Sequence, residues 1–549
     1  MSAPRRTTLF VNGTIWRGEG TEPATSLLVE DGVIAAVGND LGGPDAGTVV
    51  DLQGGFLMPG FGEGHAHPIF GGLEDAGPAI TGEHSIEAIV RRVRDYAAAH
   101  PQKQWILGAS YDGSLAEGGL FRAEWLDEAV ADRPVVLRAW DYHTVWCNSK
   151  ALELAGVDAS TAEPELGEIP RNPDGTPVGI LREWGAVDLL MSVNPGYDFE
   201  DRVEALGRAS EKYARLGVTW VQDAWVEPAD VEVYFEAARR GLLRNRYNLA
   251  LLADPRDFPD SLPALLQARE SVAAFNHRLL SAQSVKFFAD GVVENETGAL
   301  LEPYCGSLHN HGLSVWEPEP LAEAVAAVVE QGFQPHIHAI GDAAVRMALD
   351  AIEGAVKLTG RQHVRPAIAH VQLAKESDLE RFAQLGVIAV MQPLWAQLDP
   401  LMNVLTVPRL GAERSVNQYR MRTLHDSGAK LAFGSDWPCS SANPLEGISI
   451  AISRMTEEQH PVGGWMPEEI LDIEAALGAY TAGVAYQAAA DRLEMPWGVL
   501  EVGCSADMVW LERDPRLLDA VELRGLPVLG TWLAGEEMYR QCSAASGRV

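Results

Sequence analysis

LAEAVAAVVEQGFQPHIHAIGDAAVRMALDAIEGAVKLTGRQHVRPAIAHVQL, residues 321–373, reads as helix, strand, helix, strand. In 321–332 and 342–359 the apolar residues recur at helical spacing, whereas 333–340 and 365–373 are short apolar runs rich in branched residues and bounded by turns. The same unit repeats on both sides of this stretch. Upstream, 202–217 leads to VTWVQDA (218–224), 229–243 to YNLALLAD (247–254) and 261–275 to SVKFFADG (284–291). Downstream, 377–386 feeds VIAVMQPL (387–394) and 417–428 feeds AKLAFGSDWP (429–438). An eighth strand lies far upstream in GGFLMPGFGEGHAHP (54–68). Eight strands alternating with helices predict an α/β chain folded as a (β/α)8 TIM barrel.

The barrel is expected over 57–490, with 70–201 as an inserted subdomain after strand 1, because that interval is too long for one crossover and holds apolar segments such as PVVLRAWDYHTVW. The two ends, 1–56 and 491–549, alternate with period 2 between Gly and Asp turns and are expected to form one small β-sandwich. No internal repeat or low-complexity tract is visible, and 163–175 reads as a surface loop.

The 549 residues are 47% apolar and 22% charged, with 15 Trp, 12 Tyr and 14 Phe, ample for a packed core. A net charge of −34 repels phosphate backbones and anionic membrane surfaces, which leaves a small-molecule substrate rather than nucleic acid or membrane as the expected partner. No uncharged apolar run approaches the roughly 18 residues of a membrane span. No signal peptide is visible, and five scattered cysteines without a CxxC pair fit a reducing compartment; a cytoplasmic location is expected.

Side chains two apart on a strand share a face, so His65 and His67 in Gly64-His65-Ala66-His67 can grip one ion from the barrel mouth. Alone, the pair could equally be two satisfied histidines. The ends of other strands, where barrel active sites lie, add Lys286 on the fourth, His336 and His338 on the fifth, His370 on the sixth and Asp436 on the eighth. Asp436 in GSDWP could merely turn the chain; its place at the last strand end favours a carboxylate that touches a metal and accepts a proton from water. Trp140, Trp225, Trp395 and Trp437 flank these motifs and could line an apolar pocket. Phosphate loops, HExxH helices and GxSxG elbows are absent.

The stretches LMPGFGEGHAHP, VVLRAWDYHTVWCNSKAL, GVTWVQDA, VKFFADG, HIHAIGD, AHVQL, LAFGSDWP, LGAYTAGVAY and GCSADMVWLE, in this order from residue 57 to about 512, resemble the amidohydrolase superfamily and within it the YtcJ-like branch. The resemblance implies that His65 and His67 bind one divalent metal together with Asp436. Lys286 would be carboxylated and bridge to a second ion held by His338 and His370; unmodified, it would leave a one-metal site. His338 is preferred to His336, which stays an alternative, because it directly precedes AIGD. Zinc is the expected ion, with iron, manganese and nickel open. His143 in DYHTVW corresponds to a substrate-pocket residue, and a homodimer rests on the resemblance alone. The implied activity is hydrolysis of a non-peptide C–N bond, in an amide, formamide or related acyl compound, by a metal-activated hydroxide, with Asp436 passing the proton to the leaving amine. A one-metal aminohydrolase that deaminates a heterocycle and a catalytically inactive scaffold are the alternatives.

Overall fold

The computed structural model describes residues 6–42, 47–74 and 76–541; Cys542 and the outermost parts of 1–56 and 491–549 lie outside it. Eight parallel strands form one sheet in chain order: β1 (Phe61–Ala66), β2 (Val218–Val226), β3 (Arg246–Leu252), β4 (Leu280–Phe288), β5 (Gln334–Ala339), β6 (Ala367–His370), β7 (Ile388–Met391) and β8 (Lys430–Phe433). Every stretch read as a barrel strand contributes one. The sheet curls until its two edge strands meet. Across that seam the Asp436 N–H donates to the His65 carbonyl at 2.8 Å and the His67 N–H to the Trp437 carbonyl at 2.8 Å. The result is a nearly closed (β/α)8 barrel.

The strands are apolar almost throughout because helices cover their outer face and the interior is filled. Toward its N-terminal end the interior holds Trp220, Ala367, Ile388, Ala432, Val484 and Trp497, the two indoles 5.9 Å apart. The next layer is polar. The Asn248 amide donates to Gln222 and Ser284, both at 2.8 Å, the Ser284 hydroxyl donates to Gln334 at 2.9 Å, and the Gln334 amide donates to the Gln487 carbonyl at 3.0 Å. This fully bonded chain is a buried network in which each member has partners, the condition under which such a layer is tolerated. Because Lys286 and His336 follow Ser284 and Gln334 by two residues and are paired in register, they stand directly above it.

Residues 57–59, expected in the barrel, belong instead to a five-stranded sheet, where Phe56–Pro59 pairs with Met508–Leu511. Within FLMPGF only the turn dipeptide Pro59-Gly60 interrupts the apolar run, and it does not say which sheet each side joins. The break falls at Gly60, where a Cβ would come within 2.4 Å of the Thr219 side chain. A four-stranded sheet from residues 7–51 faces this one across Phe10, Leu27, Leu57, Met508, Trp510 and Trp532. Between β1 and β2, the strands Ile106–Tyr111, Val135–Ala139, Thr144–Cys147 and Ile180–Arg182 form a separate sheet with its own apolar clusters.

Helix Pro68–Glu74 packs against helix Phe199–Arg215, with Ile69 and Leu73 in the barrel's core cluster beside Val203 and Leu206. Their approach is close enough that a Cβ on Gly72 would lie 2.0 Å from the Ala205 carbonyl oxygen. Gly72→Ala is therefore expected to cost about 1–3 kcal/mol, the range for overpacking, read as a lower urea midpoint with an unchanged slope. No helix among the described residues is long and apolar enough to cross a membrane.

Candidate metal centre

Period-2 alternation on β1 brings Glu63, His65 and His67 to one side, all buried. His65 Nε2 lies 3.5 Å and His67 Nε2 3.0 Å from Asp436 Oδ1, and one ligand atom from each of the three falls within 4.8 Å of the others. Asp436 Oδ1 is buried, and the His67 contact is too poorly directed to count as a full hydrogen bond. Two imidazole nitrogens and a carboxylate oxygen that converge in this way are a donor set suited to a divalent cation.

Asp436 and His370 reach this point through unusual backbone. Along β6, Ala339 is the register partner of His370 and packs outside the barrel, so a regular strand would turn His370 outward as well. Its φ of 77° turns the side chain inward, and Asp436 has φ 55°. Such left-handed conformations cost energy and persist where surrounding contacts enforce them. For Asp436 those contacts come from Glu63, which accepts the Ser435 N–H at 2.5 Å and the Ser435 hydroxyl at 2.8 Å.

Each of the other histidines is oriented through one ring nitrogen. His65 Nδ1 lies 2.7 Å from His336 Nε2, His370 Nδ1 2.8 Å from Gln392 Oε1, and His338 Nε2 3.1 Å from the Gly291 carbonyl oxygen. An N–H given to these acceptors leaves the opposite nitrogen bare and facing inward, as metal-ligating histidines require. His336 thus stands behind His65, its Nε2 turned to the His65 ring. The His65 and His370 rings are 4.8 Å apart, and those of His338 and His370 4.5 Å. Lys286 Nζ is 3.5 Å from His65 Nε2 and 4.3 Å from the centre of the Phe288 ring. Only His65, His67 and Asp436 form a compact three-residue cluster among the described residues; Lys286, His338 and His370 surround it.

Burial dominates the electrostatics. It holds His65, His336 and His338 well below the ordinary histidine range, so these rings are neutral. It also lowers the Lys286 amine to about 7. Burial pushes the Asp436 carboxyl up, but His67, and beyond it His370 and Lys286, bring it below its usual value.

Two cavities meet at this centre, of about 530 Å³ and about 110 Å³, both bounded by His143, His338, His370 and Asp436. Trp140, Trp395 and Trp437 line the larger, where Trp395 lies parallel to the His370 ring at 5.3 Å. Trp225 lines the smaller with Phe70, Trp184 and Phe288. His143 belongs to both and is held at 2.8 Å from Glu183, a buried residue with φ 60° whose other carboxylate oxygen takes the Thr297 hydroxyl at 2.6 Å. Three of these supports escaped the sequence reading. Glu63 could have been found by carrying the His65/His67 alternation back one step, and Gln392 by its position at a strand end. Glu183 carries no sequence signal.

The cluster lies at the C-terminal ends of the strands, the face where (β/α)8 enzymes carry their active sites. Residues 48–539 match the family described as "Amidohydrolase family", and the chain belongs to that family, in its YtcJ-like branch. It is 28% identical to YtcJ of Bacillus subtilis (strain 168), over 97% of this chain and 98% of that protein. It is 27% identical to N-substituted formamide deformylase of Arthrobacter pascens, over 94% and 95%. The crystal structure of an uncharacterized metal-dependent hydrolase from Pyrococcus horikoshii OT3 superposes with a TM-score of 0.72 at 25% identity, covering 94% of this chain and 99% of that one.

Proposed function

We propose that this chain hydrolyses the C–N bond of a small N-substituted amide or formamide. The convergence of His65, His67 and Asp436 on the smaller cavity, with Asp436 bordering the larger as well, carries this reading, and its similarity to a formamide deformylase supports it. His65, His67 and Asp436 would hold one divalent ion, zinc by preference, and a carboxylated Lys286 with His338 and His370 a second. Such an ion, when bound, acidifies water and polarises a carbonyl. The ionised Asp436 accepts the proton of the attacking water and delivers it to the leaving nitrogen. His143, aimed by Glu183, holds the amide, while the Trp225 and Trp395 walls exclude water from it. We place the protein in the cytoplasm as a homodimer without nucleic-acid or membrane partners; the charge of −34 supports the last two points and the family resemblance the dimer. Elemental analysis of chelator-free protein, followed by a screen of amides, formamides, carbamates and heterocyclic amines, tests the whole reading. Release of ammonia from a heterocycle with no amide cleavage would replace it by a deaminase.

Lys286 decides between two ions and one. An ammonium beside neutral histidines and a cation is repelled, whereas a neutral amine adds CO2 to give a carbamate that attracts. With the amine near pH 7, carboxylation and loading of the second ion should be more complete at pH 8 than at pH 6, because the neutral amine predominates only above its pKa. Lys286→Ala should drop metal content toward one ion per chain and depress activity, and added formate, acetate or bicarbonate should restore part of both. Full metal content and turnover in this variant would make Lys286 structural.

A further inference from the structure

The larger cavity carries an acidic wall that the reaction proposed above leaves unused. From Trp395 its lining runs to Leu394, Met402 and Leu405, and among these stand the carboxylates of Glu294 and Asp399. Glu294 accepts the Thr406 hydroxyl, and Asp399 accepts the Met402 N–H at 2.8 Å. Neither is in an ion pair among the described residues. Arg409, on the same loop, spends its guanidinium on Glu296 at 3.5 Å and on the Leu405 carbonyl at 2.8 Å. Two partly buried carboxylates without an ion pair of their own are unfavourable: burial raises the Asp399 carboxyl to about 6, with the Glu294 charge adding to it, and burial raises Glu294 as well, against the opposing pull of the Arg409 charge.

A second feature of the same cavity also lacks a partner. Tyr111 borders it, is 1% exposed, and its hydroxyl makes no hydrogen bond among the described residues. Buried hydroxyls are nearly always bonded, so this orphan is a second unsatisfied polar group close behind the same wall. The space between is apolar and aromatic, and the smaller cavity, at about 110 Å³, has room for a formyl or acetyl group.

We propose that the larger cavity takes a nitrogen substituent made of an apolar spacer ending in a primary ammonium, which sits against Glu294 and Asp399 with the spacer along Trp395, so that the substrates are N-acylated diamines. A compact ammonium offers three donors to the free carboxylate oxygens, and the aromatic wall tolerates its approach. The identity of the scissile bond rests on the amide-hydrolase reading; the charge preference does not.

The test compares N-(6-aminohexyl)acetamide with N-hexylacetamide, which differ only at the far end. In the metal-loaded enzyme the ammonium compound should show at least a tenfold higher kcat/KM. Glu294→Gln and Asp399→Asn should each remove most of that preference while changing kcat/KM for the neutral compound less than threefold. Binding of both compounds to Asp436→Asn protein, followed by calorimetry, reads the same preference without turnover: tighter binding of the ammonium compound with no hydrolysis in the wild type would sink the amide reading and keep the cation subsite. A gain measurement guards against misfolding. 7-Acetamidoheptanoate, with a carboxylate in place of the ammonium, should bind most weakly to the wild-type wall and better once Glu294 and Asp399 are both neutralised. Equal binding of the cationic and neutral compounds, or a preference that survives both substitutions, overturns the proposal.

Discussion

Asp436→Asn should lower kcat by at least about 10²-fold, the lower end of what a positioned general base contributes. Asparagine keeps the shape of the side chain, so the seam bonds from its backbone to His65 and the Glu63–Ser435 contacts that hold the loop should survive. What disappears is the ionised oxygen 3.0 Å from His67 Nε2, and with it both the proposed metal ligand and the proposed proton acceptor. Circular dichroism and urea unfolding check that the fold is intact, and metal content separates loss of the ion from loss of the base. Turnover within threefold of the wild type would assign the proton to another group.

Metal removal should have the larger effect. Prolonged chelation is expected to abolish hydrolysis, and zinc, manganese or cobalt to restore it, because the uncatalysed reaction relies on water with a pKa of about 15.7. The neutral imidazoles of His65 and His338 make recovery straightforward near pH 7, since no proton must leave them before an ion can bind. Undiminished turnover in protein shown to be metal-free would remove the mechanism altogether.

The barrel was legible in the sequence because each strand is an apolar run set off by an amphipathic helix, and that two-period signal survives without any knowledge of contacts. His65, His67, Lys286, His338, His370 and Asp436 were legible because strand ends in a barrel converge on one mouth. Two kinds of feature were not. The chain changes sheet at Pro59-Gly60, a dipeptide that marks a turn but not the partners on either side, and sheet membership depends on residues 453 positions away, such as Leu57 with Trp510. The residues that aim the site, Glu183 above all, act through single hydrogen bonds between distant segments and leave no periodicity behind. Polar residues inside the barrel were equally silent: Gln222, Asn248, Ser284 and Gln334 interrupt apolar strands in a way that resembles noise until the four are seen to form one chain of hydrogen bonds.

The seam between β1 and β8 also gives the centre a history. Glu63 and Ser435, which clasp across it, are 372 residues apart. During synthesis at roughly 5–20 residues per second, a nascent chain therefore carries its paired histidines for roughly 20–75 s before their acidic partner leaves the ribosome. Over that interval β1 is an open edge of a growing sheet, with hydrogen-bonding groups exposed to any passing strand. Closure of the sheet and completion of the ligand cluster are the same event, so a chain that stops short of the eighth strand has neither a finished barrel nor a finished site. Premature termination in this protein yields an unprotected edge rather than a weak enzyme.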